Sequence, residues 1–120
     1  MAGQNLSGFA RLYAALFNSL AGFKAGWSNE EAFRLECLLF CIGTPLGLWL
    51  GQTGIERALL VGGLFNVLIV ELLNSAVEAT VDRIGFERHE LSGRAKDIGS
   101  AAVFLSLALA GVVWSLVLIR

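Results

Sequence analysis

The sequence predicts an all-α membrane protein: an N-terminal amphipathic surface helix followed by three transmembrane helices in a single domain. Three observations carry that reading. Of 120 residues, 56% are hydrophobic and 16% charged, with a mean hydropathy of +0.69, too apolar and too short for an ordinary two-domain soluble protein. Three stretches are long enough to cross a hydrocarbon core, which takes about 20 helical residues. Upstream of them, apolar residues recur at helical steps of three and four. The formal net charge is -1 and the basic residues are scattered without a run, so nucleic acid is set aside as a partner. Cys37 and Cys41 lie in an apolar run without a nearby His and read as small packing residues. Met1 to Gly8 are polar and small; without the basic start, apolar core and cleavage site of a signal peptide, they are expected to be retained.

The elements follow in order. Phe9, Leu12, Tyr13, Leu16, Phe17, Leu20, Phe23 and Trp27 share one face, with Arg11, Asn18 and Lys24 elsewhere, which predicts a helix over about 6–27 lying in the membrane interface or packed on neighbouring helices. Ser28-Asn29-Glu30-Glu31 has the form of a capping box and predicts a new helix over about 29–50. From Cys37 to Ile55 there are 19 residues without a charge, and the helix is expected to kink near Pro45 and end near Leu50. After a turn at Gln52-Thr53-Gly54, a second span covers about 56–83. Arg83 to Asp97 is dense in charge, carries Gly85 and Gly93, and is expected to be a loop in water. The uncharged run Ile98 to Ile119 places a third span over about 96–119. This topology puts Arg11, Lys24, Arg34, Arg83, Arg88, Arg94 and Lys96 on one side and Arg57 and Arg120 on the other, so the first side is expected to be cytoplasmic.

Function is concentrated in the second span. Glu71, Asn74, Glu78 and Asp82 follow at spacings of three, four and four, one stripe on a helix. Carboxylates at membrane depth are costly and usually serve ion, proton or substrate chemistry. Glu71 and Glu78 are about 10.5 Å apart along the axis, which leaves room for a phosphoryl group and an acceptor hydroxyl and suits transfer from a nucleotide to a lipid alcohol. Two blander readings stand beside it. The stripe can be polar glue for another helix, with Glu30 only a first-turn acid; or it can organise an oligomer or conduct protons in a non-enzymatic subunit. A single Asn or Ser would glue helices at less cost, which favours chemistry.

The sequence has no P-loop and no GxGxxG, so the charged segment is the one candidate nucleotide cradle. There Lys96 could pair with phosphate oxygens, and Glu87 and His89 could face a ribose or base. His89, the sole histidine, reads by itself as a solvated loop residue ahead of a functional one.

The run Glu71-Leu-Leu-Asn74-Ser75-Ala-Val-Glu78-Ala-Thr-Val-Asp82-Arg83, followed by His89-Glu90-Leu-Ser92-Gly93-Arg94-Ala-Lys96-Asp97-Ile-Gly99-Ser100, closely resembles the signature of the prokaryotic integral-membrane diacylglycerol kinases. The resemblance extends from about Phe9 to the C-terminus. It implies a homotrimer of the bacterial inner membrane with sites between protomers, which uses MgATP to convert diacylglycerol to phosphatidate. Glu71 would be the catalytic base with Asn74 beside it, and Glu30 and Glu78 the Mg²⁺ carboxylates. These two acids, together with Arg11, Asn18, Glu87, His89, Lys96 and Asp97, fall at ATP-binding positions; Asn18 stands where well-known members carry an aromatic. Arg34, Glu36, Trp49, Arg57, Glu71, Ser100 and Trp114 match lipid-substrate positions. Glu31, Phe33, Arg34 and Glu36 resemble the diacylglycerol branch more than the undecaprenol-kinase branch, which shares the core signature.

Overall fold

The computed structural model describes residues 7–87 and 89–120, and every regular element among them is helical: α1 (Gly8–Asn29), α2 (Glu31–Leu50), α3 (Gly54–Ile84) and α4 (Glu90–Leu118). The start of the first predicted helix at residue 6, and Arg88 in the charged segment, lie outside the described residues. The last three helices are long and apolar enough to cross a membrane. α3 is the middle helix, packing α2 on one side and α4 on the other.

Glycines let these helices approach closely, the usual device where lipid removes the hydrophobic drive for helix pairing. A Cβ on Gly43 would come within 2.6 Å of Leu64, and one on Gly47 within 3.2 Å of Leu60, so α2 lies directly on α3. On the other side Gly63 faces Ala110 of α4, and the Trp114 indole donates to the Leu60 carbonyl at 3.0 Å. Leu60 and Val67 are the fully buried side chains at the centre of this core.

α1 leaves the bundle as an arm. Its apolar face from Phe9 to Trp27 is exposed within the chain, and only Gly26 is buried, so neighbouring helices of the same chain do not cover it. Gly26 is pinned between Phe33 of α2 and Leu72 of α3.

The junction of α1 and α2 differs from the predicted capping box. Ser28 and Asn29 belong to α1, whose last turn closes with the Glu30 N–H on the Gly26 carbonyl, and Glu30 alone is extended. Arg34 Nη1 donates to the Trp27 carbonyl at 2.7 Å; a cation on the last carbonyls of a helix satisfies both hydrogen bonding and dipole. The new helix does start here, at Glu31 with Glu30 at its N-cap, but without the expected side-chain cap. Pro45 lies inside α2, which runs on unbroken to Leu50.

The charged segment is shorter as a loop than its composition suggests. Helix resumes at Glu90, so the last charged turns up to Asp97 are helical. His89 caps this end, its Nδ1 accepting from the Leu91 N–H at 3.1 Å, and Arg94 pairs with Glu90 one turn away. Charge at a helix end is compatible with helix, and Glu–Arg pairs one turn apart support it.

Candidate functional site

The extended Glu30 is what brings the first acid to the stripe. With Gly26 wedged against Phe33 and Leu72, the α1–α2 junction is held beside the C-terminal half of α3. A groove of about 500 Å³ opens there, lined by Asn29 and Glu30 on one side and Leu72, Ser75 and Ala79 on the other.

On α3, Glu71 is 4% exposed and Asn74 is 9% exposed. Asn74 Nδ2 donates to Glu78 Oε1 at 3.0 Å, orienting one carboxylate oxygen of Glu78. Glu71 lies within reach of the charges of Glu78 and Glu30, and Glu36 of α2 faces it. Glu30 of the α1–α2 junction, Glu36 of α2, and Glu71 and Glu78 of α3 therefore lie near one another at one end of the bundle. Several polar atoms there are unsatisfied: Glu36 Oε2, Asn74 Oδ1 and Ser75 Oγ are buried without a hydrogen-bond partner. Orphaned groups of this kind are uncommon and mark positions where a ligand, ion or water belongs.

Asn74 owes its placement to Gly99 of α4. A Cβ on Gly99 would collide with Asn74 Oδ1, so the amide fits only because that position is bare. The spacing of acids along α3 contains no trace of this contact; a glycine facing the stripe from the next span is its sole sequence signal. Lys96, one turn before Gly99, donates to Asp82 Oδ1 at 2.7 Å and ties the ends of α3 and α4 together.

The chain brings some predicted residues together and separates others. Glu30, Glu36, Glu71, Asn74 and Glu78 meet. Glu87, His89 and Lys96 line a smaller cleft of about 170 Å³ with Asp82 and Gly85, whereas Asp97 lies in a groove on α4 with His89, Arg94 and Ile98. Ser100 is exposed on α4. Arg34 holds the α1 terminus, and Arg11 and Asn18 are exposed on the arm. Trp49, Arg57 and Trp114 stand at the opposite end: Arg57 Nε donates to the Leu48 carbonyl at 3.0 Å and precedes Glu71 by about 21 Å along α3.

Among the described residues no three His, Cys, Asp or Glu side chains converge to enclose a metal by themselves. Two carboxylates do approach one buried acid, Glu30 and Glu78 about Glu71. Mg²⁺ commonly takes one or two carboxylates and completes its octahedron with phosphate oxygens and water, so this donor set fits a divalent cation that arrives with a nucleotide.

Residues 17–118 match the sequence model of a family described as prokaryotic diacylglycerol kinase. Among curated relatives, a diacylglycerol kinase of Haemophilus influenzae is 54% identical over 108 residues, covering 90% of this chain and 92% of its own. One from Escherichia coli is 47% identical over 114 residues, covering 95% and 93%, and one from Pseudomonas aeruginosa 47% over 113, covering 94% and 92%.

Proposed function

Because this chain belongs to the prokaryotic diacylglycerol kinase family, we propose that it phosphorylates diacylglycerol to phosphatidate with MgATP, as a homotrimer of the bacterial inner membrane whose active sites face the cytoplasm. The observation that carries this reading is the convergence of Glu30, Glu36, Glu71 and Glu78 at the end of the bundle where Asn74 and Ser75 are left unsatisfied. If Arg57 marks one edge of a hydrocarbon core about 30 Å thick, Glu71 lies inside it and Glu78 at the far edge. A lipid hydroxyl can therefore reach Glu71 from the bilayer, and a nucleotide can reach Glu78 from water.

Glu71 accepts the proton of the diacylglycerol hydroxyl. The freed oxygen forms a bond to the γ-phosphorus, the bond from that phosphorus to the bridging oxygen breaks, and ADP leaves with the electron pair. No phosphoenzyme forms. Asn74 holds Glu78 by its amide N–H on one carboxylate oxygen and leaves the other oxygen of Glu78 for the substrate side. Glu30 and Glu78 would hold Mg²⁺, which supplies charge neutralisation on the phosphates. Lys96 exchanges Asp82 for a phosphate oxygen, and positioning with electrostatics provides most of the acceleration, as in other phosphoryl transfers. Glu87, His89 and Asp97 would meet the nucleotide with Arg11 and Asn18 on the arm. Glu36, Arg34 and Ser100 flank the lipid headgroup, while Trp49, Arg57 and Trp114 would meet the lipid nearer the other end.

The test is ATP consumption by purified protein in mixed micelles containing diacylglycerol or undecaprenol, with Mg²⁺ titrated for wild type and Glu78→Gln. Phosphatidate formation with diacylglycerol is expected, and an Mg²⁺ requirement raised about tenfold or more in the variant. Turnover with undecaprenol alone would move the chain to that substrate. An unchanged Mg²⁺ titration would remove Glu78 from the metal.

A further inference from the structure

Asn66 is a second polar side chain at membrane depth in α3, and the carboxylate stripe does not use it. It lies about 13 Å along the helix from Arg57, close to the midplane of a hydrocarbon core about 30 Å thick. At about 100° per residue, Asn66 is turned roughly 140° from Glu71 and 120° from Glu78. The α3 face that packs on α2 and α4 carries Leu60, Gly63, Leu64, Val67, Glu71 and Asn74. Asn66, itself half-buried, instead falls beside the outward row of Leu59, Gly62, Ile69 and Leu73, which are exposed in this chain. Among the described residues, the side chains of α3 that form hydrogen bonds are those of Glu56, Arg57, Asn74, Glu78, Thr80 and Asp82, and Asn66 forms none. One turn away, Gly62 has nothing within 4 Å of where a Cβ would stand, so the helix surface beside the amide is open to close approach.

An amide facing hydrocarbon at the midplane has neither water nor lipid headgroup within reach, and an unmet polar group there costs several kcal/mol. A partner at the same depth with both a donor and an acceptor removes that cost. A symmetric assembly of this chain supplies one, because an Asn amide is its own complement. We propose that Asn66 hydrogen-bonds to Asn66 of the partner subunit across an α3–α3 contact, with Gly62 admitting the close approach, and so sets the depth and rotation at which the α3 helices meet. In a closed trimer each amide donates to the next and accepts from the one before. This deepens the homotrimer of the preceding reading and rests on self-association alone, not on the reaction or its substrate.

The experiment uses the full chain in native membranes with its two thiols removed as Cys37→Ala and Cys41→Ala. In that background Asn66→Cys is compared under mild oxidation with Leu105→Cys, an exposed position on α4 at similar depth. Disulfide-linked dimer is expected to form about tenfold faster or more from Asn66→Cys. Separately, Asn66→Leu, a substitution that a bilayer tolerates, should dissociate at a detergent-to-protein ratio about three- to thirty-fold lower than wild type, while Asn66→Gln stays near wild type. Equal cross-linking at both positions, or an unchanged dissociation point for Asn66→Leu, overturns the proposal. Glutaraldehyde cross-linking of wild type separates the two levels. Oligomer bands with no preference for Asn66→Cys refute the contact and leave the homotrimer standing; a wild type that stays monomeric refutes both.

Discussion

The two ends of the bundle treat polar groups in opposite ways. At the end holding the α2–α3 turn, the C-terminal carbonyls of α2 are claimed by arginines: Arg57 on Leu48 at 3.0 Å and Arg120 on Leu50 at 2.8 Å. Glu56 accepts the Gln52 N–H and lies 3.7 Å from Arg120, and Thr53 caps α3. At the other end Glu36, Asn74 and Ser75 each keep a buried atom without a partner, and Glu71 is buried among acids. Membrane burial drives polar groups into pairs wherever only stability is at stake. On the proposed function, the partners missing at the other end arrive with the substrates. Thr44 Oγ1 is the exception, unpartnered within α2, and nothing in the structure accounts for it.

Substitutions at each end can break this contrast, and the largest effect is expected at Glu71. Glu71→Gln should lower turnover by about 10²–10⁴, measured as phosphatidate formed, with MgATP binding retained; near-normal turnover would mean that the proton goes elsewhere. Next comes Gly99→Ala, whose Cβ displaces the Asn74 amide. Its kcat should fall about ten- to a hundredfold, while Gly111→Ala, on an open stretch of the same helix, keeps full activity and shares the gain of about 1 kcal/mol in helix propensity. Equal activities for the two would show that Asn74 does not depend on its seat.

The paired end predicts the converse. Arg120→Ala leaves the Leu50 carbonyl bare and should cost about 1–3 kcal/mol of stability in a reversible unfolding titration, with activity per folded molecule unchanged. The smallest effect belongs to Asp82→Asn. Its bond to Lys96 is short, but both side chains are more than one-third exposed, so stability should change by less than about 1 kcal/mol. That difference should shrink further as salt is added, which unfolding at two ionic strengths would register.

Much of this was legible in the chain. The apolar face of α1, the spans and the spacing of Glu71, Asn74 and Glu78 are periodic signals along one helix, and the helices carry them as expected. Local signals were misleading where two of them competed. Ser28 to Glu31 has the composition of a helix start, and α2 does begin at Glu31, yet Ser28 and Asn29 close the last turn of α1, whose Trp27 carbonyl Arg34 reaches. The charge density of Arg83 to Asp97 suggested a loop, yet the His89 cap and the Glu90–Arg94 pair keep its second half helical. Asn66 leaves no mark on the hydropathy pattern, because a single amide does little to an apolar run.

By itself the sequence determined the helices, their membrane character and the stripe of acids, because each follows from periodicity and hydropathy within one segment. Only the tertiary structure decided which groups share a site: Glu30 and Glu36 beside Glu71, Asn74 against Gly99, and Lys96 on Asp82. These contacts join helices distant in sequence, and their register depends on where Gly43, Gly47 and Gly63 allow close approach. That register is a property of packed surfaces, and no single helix encodes it.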